Sequence, residues 1–220
     1  MAKIYIEGGG EGKDQLSKCR EGFQKLLQAT GEFQGRMPRL VACGGREQTF
    51  KDFKTAHKHS GNEFVAMLID SEDPIAVDTT AWRHLKTRDG WDQPDNATNE
   101  QVLFMATCME TWIVADRVAL KAHYGADLQE SALPVLTQAK EPKRSEEEDV
   151  NTDLPIATTL EQRSRHDIQD ALVHATRNCS NTYKKGNRSF ALLAELSFER
   201  IKSHVPNFKR TINILKKNLK

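Results

Sequence analysis

The sequence predicts an α/β protein: a mainly parallel, four-stranded sheet flanked by helices, followed by an α-helical C-terminal part. Three observations predict it. Strand-like and helix-like segments alternate as β-α-β-α-β through the first third of the chain. The third strand, "EFVAMLIDSED", is apolar throughout its middle, as expected of a parallel strand covered on both faces. Beyond about residue 156 the apolar spacing is helical.

The elements follow in order. "KIYIE" alternates Ile4 and Ile6 with Lys3 and Tyr5 and runs into a glycine-rich turn; a helix with Leu16, Phe23, Leu26 and Leu27 on one face is expected from about Lys13 to Thr30. "PRLVACGG" gives a second strand ended by Gly44 and Gly45, and Phe50, Phe53 and Ala56 set a second helix. "TTAWRHLKTRDGW" reads as a helix ending at Gly90, with "DQPDNATNE" as turns. The apolar run "QVLFMATCMETWIVADRVALKAHYG" is divided into a strand, Val102 to Ala106, and one helix from about Met109 to Tyr124. "AKEPKRSEEEDVNTDLP" is charged and nearly devoid of large apolar side chains, so a flexible charged loop is expected over 139–155. The expected organisation is an α/β domain over 1–138, that loop, and a helical part over 156–220 packed on the same body.

Composition narrows the function classes. The chain has 220 residues, 38% hydrophobic and 29% charged, with a net charge of +1, and no apolar stretch long enough to span a bilayer. A strand that begins next to Met1 leaves no room for a secretory leader, so a cytoplasmic location is expected. Cys19, Cys43, Cys108 and Cys179 form no C-x-x-C pair, which argues against a disulfide frame and a thiolate zinc site. Charge is unevenly spread. Ten Lys/Arg stand against two glutamates between Tyr183 and Lys220, leaving an acidic body. The basic end reads either as a surface for a phosphate backbone or as the solvated face of helices.

"IEGGGEGKDQ" has the look of a phosphate-binding loop, but the spacing fails. Glu7 stands where the first glycine belongs, and Asp14 replaces the metal-binding Ser or Thr. The acids suggest other chemistry. In parallel sheets functional groups gather beyond the C-terminal strand ends; Glu7 closes the first strand, and Asp70, Glu72 and Asp73 close the third. If these strands are neighbours, Glu7 and Asp70 face one crevice. Crowded carboxylates call for a cation, and hard oxygen donors suit Mg²⁺ or Mn²⁺. Each acid alone also reads as a helix cap or a solvated group.

"IYIEGGGEGK" followed by "LIDSED" resembles the Toprim domain, the metal-binding α/β module of topoisomerases, DnaG-type primases and OLD-type nucleases. Glu7 falls on that module's first acidic position and Asp70 on its second, with Glu72 in place of the usual Asp. Glu7-Gly-Gly-Gly-Glu11 is similar to the Glu-Gly-x-x-Glu of the OLD-like branch. "CMETWIVADR", "ATRN" and "YKKGNRSFALL" are similar to the bacterial domain of unknown function 4276, over nearly the whole chain. The resemblance implies a metal-dependent nuclease subunit of an anti-phage defence complex. Its expected partners are an ABC- or AAA-type ATPase, DNA or another nucleic acid, and an oligomeric assembly. The implied metal ligands are Glu7, Glu11, Asp70 and Glu72; Glu7, Asp70, Glu72 and Lys185 are the catalytic candidates. Lys185 also reads as a solvated lysine. The rival is a non-catalytic interaction subunit that docks to an ATPase or nucleic acid, and a third reading is nucleotide binding by the glycine turn.

The remaining candidates are bland. Glu110 and Asp116 are expected on the polar edge of their helix with a structural role. His57 and His59 lie two apart, the wrong spacing for one helical face. Trp82, Trp91 and Trp112 are expected in the core.

Overall fold

Four parallel strands, β1 (Ala2–Glu7), β2 (Arg39–Gly44), β3 (Phe64–Asp70) and β4 (Val102–Met105), stand in the order β2-β1-β3-β4. The computed structural model describes residues 2–10, 12–33, 35–137 and 159–219. The charged loop expected over 139–155 lies outside them. Chain order reverses between β1 and β3, so the topological switch point falls where Glu7 and Asp70 end their strands.

The helices are α1 (Lys13–Ala29), α2 (Arg46–Lys58), α3 (Ala81–Asp89), α4 (Met109–Ala115), α5 (Arg117–Tyr124), α6 (Arg165–Thr176), α7 (Asn187–Leu193), α8 (Phe198–Ile201) and α9 (Pro206–Asn218). Strand alternation sorts the apolar side chains into two layers. Ile4, Ile6, Leu68 and Leu103 pack with Phe23 and Leu26 of α1, Trp112 of α4 and Phe208 of α9. Tyr5, Met67, Ile69 and Phe104 pack with Phe50 and Phe53 of α2 and Trp82 and Leu85 of α3. The C-terminal helices therefore share the core of one sheet face. Local signals set several ends: Thr80 accepts from Arg83 N at 3.2 Å, Ser164 accepts from Asp167 N at 3.1 Å, and Gly90 closes α3 in the left-handed region.

The single helix expected from Met109 to Tyr124 is two helices broken at Asp116 (φ −101°, ψ 81°). That residue is fully buried rather than on a polar edge. Its carboxylate accepts from Ala119 N at 3.0 Å, Ser197 N at 2.8 Å and Arg200 Nε at 2.6 Å, capping α5 and tying it to α8. Such multiple donors satisfy a buried acid, and no glycine or proline is needed to break the helix. Glu110, also expected at an edge, is likewise fully buried. Much of the basic excess is spent internally: Lys217 pairs with Glu100 at 2.8 Å, Lys216 with Glu32, and Arg210 donates to the Asn99 carbonyl at 2.9 Å. Among the described residues no helix is long and apolar enough to cross a membrane.

Candidate metal centre

The strand ends are joined before any side chain enters. A register shift after Ile6 sets Glu7 opposite Gly44, and Gly8 and Gly44 exchange both backbone hydrogen bonds, at 2.8 and 3.1 Å. Gly44 has φ +80°, and a Cβ there would come within 2.5 Å of the Gly10 carbonyl oxygen. Only glycine allows this close approach. The crossing holds the glycine turn against the end of β2 and aims Glu7 across the switch point.

One oxygen each from Glu7, Asp70 and Glu72 lies within 4.8 Å of the others. Asp70 is 4% exposed; its Oδ1 accepts from Met109 N at 2.9 Å, and its own N–H donates to Glu7 Oε2 at 3.2 Å. Asp70 therefore does not cap the helix that follows it in sequence, which Thr80 caps; it accepts from the N-terminus of α4 and is a member of the cluster. Glu72 sits in the left-handed region at φ 68°, its N–H donating to the Thr107 carbonyl at 2.8 Å. A non-glycine residue there is strained by about 1 kcal/mol. Burial pushes the Asp70 carboxyl up to about 7, with Glu7 and Glu110 adding to the rise and Lys185 drawing it down. Burial likewise raises Glu7, against the pull of Arg46.

Among the described residues, four cations surround the acids. Arg46, the first residue of α2, donates to Glu7 Oε2 at 3.2 Å and to the Asp70 carbonyl. Its other nitrogens grip Asp89 at 3.0 and 2.8 Å while the guanidinium lies over the Trp91 ring. Arg165, the first residue of α6, pairs with Glu72 Oε2, which Arg88 also approaches at 3.5 Å. Lys185 Nζ lies 3.5 Å from Asp70 Oδ2. Behind the site, Tyr183 donates to the buried Glu110 at 2.7 Å and Gln169 donates to it at 3.3 Å. A cavity of about 330 Å³ opens beside the acids, walled by Gly8–Gly10, Gln15, Met105, Met109, Lys185 and Phe190. A wider, open groove of about 1300 Å³ lies elsewhere, between the end of α2 and residues 90–101, without these three acids.

The structure thus brings together Glu7, Asp70, Glu72 and Lys185; Glu11 lies outside the described residues. The all-carboxylate set suits a hard divalent cation. Arginine contacts fall on Oε2 of Glu7 and Oε2 of Glu72. Sequence reasoning missed Arg46, Arg88, Arg165, Asp89, Tyr183 and the buried placement of Glu110. One signal was present for two of them: Arg46 and Arg165 open helices, where the macrodipole disfavours a cation. His57 is bonded to the Asp95 carbonyl and to Gln101, each at 3.0 Å, which fixes it structurally. All three tryptophans are buried, and burial raises the Cys19 thiol to about 12, so it is not a thiolate near neutrality.

Residues 6–216 match the model of a family described as a domain of unknown function, DUF4276. No curated protein and no solved structure matches the chain.

Proposed function

We propose, from the geometry of its site, that the chain, which belongs to the DUF4276 family, is a divalent-metal-dependent phosphodiesterase acting on nucleic acid. In this proposal it is the Toprim-like nuclease subunit of a bacterial anti-phage complex, regulated by an ABC- or AAA-type ATPase. The observation that carries the reading is the convergence of Glu7, Asp70 and Glu72 within 4.8 Å at the switch point of a parallel sheet. Like charges held so close are costly without a cation.

Glu7 and Asp70 would hold Mg²⁺ or Mn²⁺, with Glu72 completing the donor set. The bound ion would neutralise charge on the phosphate and lower the pKa of a water. Lys185, its side chain 57% exposed at the mouth of the site, can reach a phosphate oxygen and offset negative charge that develops there. Met109 N–H fixes Asp70 Oδ1, so the orientation of that carboxylate is set in advance.

Plasmid cleavage by the purified complex with Mn²⁺ tests the reading. Glu7→Gln and Asp70→Asn are expected to reduce cleavage at least a hundredfold; undiminished cleavage in either variant removes the site. One observation favours a second reading, a non-catalytic interaction subunit: Arg46, Arg88, Arg165 and Lys185 already neutralise the acids without metal. That reading predicts no thermal shift with Mg²⁺ or Mn²⁺, and unchanged ATPase binding by both variants.

A further inference from the structure

Two arginines serve the acids from helix N-termini, but they are anchored differently. The Arg46 side chain is 14% exposed, gripped twice by Asp89 and stacked on Trp91. It is a fixed part of the frame. The Arg165 side chain is 35% exposed, and its ion pair with Glu72 Oε2 spans 93 positions of chain. It also sits at the start of the twelve-residue α6, where the helix dipole repels a cation and welcomes an anion. Its cost at that position is offset by Glu72. Arg88, by contrast, is shared among Glu72, Asp73 at 3.3 Å and Asp89, so it stays in place if Glu72 is drawn away.

We infer that Arg165 is a resident counter-ion of Glu72 that a divalent cation displaces, and that the freed guanidinium then takes a phosphate of the nucleic-acid substrate. The inference rests on the metal-dependent reading above and adds to it a coupling between ion and substrate. Guanidinium and divalent cation compete for the same Glu72 carboxylate, so either one alone weakens the other. A phosphate changes the balance, because Arg165 exchanges one anionic partner for another that also faces the α6 N-terminus. Linkage makes the effect reciprocal: the ion favours phosphate binding, and phosphate favours the ion.

Mn²⁺ titration of the full chain by calorimetry, with and without a hydrolysis-resistant phosphorothioate oligonucleotide, tests the coupling without turnover. The oligonucleotide is expected to tighten Mn²⁺ binding by wild type roughly five- to tenfold. Arg165→Gln removes the competitor, so it should bind Mn²⁺ alone roughly fivefold tighter than wild type and gain less from the oligonucleotide than wild type does, because only the attraction of the ion and of Lys185 for phosphate remains. A merely structural arginine predicts the opposite sign. If Arg165→Gln does not fold, Arg165→Lys carries the same test, since a single-point cation holds Glu72 less firmly and Mn²⁺ binding should again tighten. Mn²⁺ affinity equal to or below wild type in the variant overturns this inference and leaves the metal site standing. No Mn²⁺ binding by wild type overturns both.

Discussion

Arg46 bridges the ends of β1 and β3, donating from one nitrogen to both the Glu7 carboxylate and the Asp70 carbonyl. Its remaining nitrogens are committed to Asp89, whose side chain is 9% exposed. Removing it leaves the largely buried Glu7 without its arginine and, among the described residues, Asp89 with Arg88 alone; breaking a buried pair typically costs about 3–5 kcal/mol. The slight exposure of the arginine lowers the expected loss for Arg46→Ala to about 2–4 kcal/mol. Urea denaturation in EDTA measures it, and a loss under about 1 kcal/mol contradicts a framing role.

Gly22 supplies a test in which two principles oppose each other. It lies inside α1, where alanine is ordinarily better by about 1 kcal/mol. Yet a Cβ there would meet the Phe190 carbonyl oxygen of α7 at 2.5 Å, and that oxygen is backbone. Overpacking of this kind costs about 1–3 kcal/mol, so Gly22→Ala is expected to lower stability. The displaced α7 follows the Lys185–Gly186 segment at the mouth of the site. A rise in the melting temperature of Gly22→Ala excludes the close helix approach.

The fold was legible because its signals are local. Alternation in "KIYIE", the unbroken apolar middle of "FVAMLID" and the glycines after the first two strands each act over a few residues, whereas the adjacency of β1 and β3 that makes the switch point was only a condition at the level of sequence. Glu7 and Asp70 were readable as strand ends for the same reason. The cations were not. Arg165 meets Glu72 across 93 positions and Arg88 comes from a helix end that looks solvated, so nothing nearby in sequence announces either contact. The break at Asp116 was missed because its cause is tertiary: Ser197 and Arg200, far along the chain, complete the shell of donors around a buried acid.

Stability should vary with pH through Glu161. It is 7% exposed and accepts from Asn207 N at 2.9 Å and Nδ2 at 2.8 Å, at the start of α9. Burial pushes its carboxyl from the usual 4.5 up to about 7, against the pull of those two bonds. The folded state therefore holds the proton more tightly than the unfolded chain. The resulting stabilisation is fully present below 4.5 and is lost as pH rises through about 7. Glu161→Gln keeps an acceptor for Asn207 N and removes the titration. Its unfolding free energy should lack a decline on the order of 2–3 kcal/mol that wild type shows between about pH 5 and 8. Parallel pH profiles for the two proteins exclude it.

Asp70 distinguishes a site kept for a ligand from one kept for stability. Its carboxylate is buried, close to Glu7 and near the buried Glu110, and burial with those two charges makes ionisation unfavourable despite Lys185 and Met109 N–H. Asn at this position keeps the acceptor for Met109 N–H and discards the charge. In EDTA near neutral pH, Asp70→Asn should therefore be at least as stable as wild type, by up to about 2 kcal/mol, although it loses the Lys185 ion pair. That pair is weak because the lysine is largely in solvent. With Mn²⁺ the order should reverse. Wild type gains stability by mass action, about 2.7 kcal/mol at a hundredfold excess over Kd, while the variant gains little. A crossing of the two stabilities between EDTA and Mn²⁺ is the signature of a carboxylate held at a cost for a cation. If Asp70→Asn is the less stable protein under both conditions and both respond alike to Mn²⁺, Asp70 is a structural cap of α4, and the three acids form an internally neutralised network.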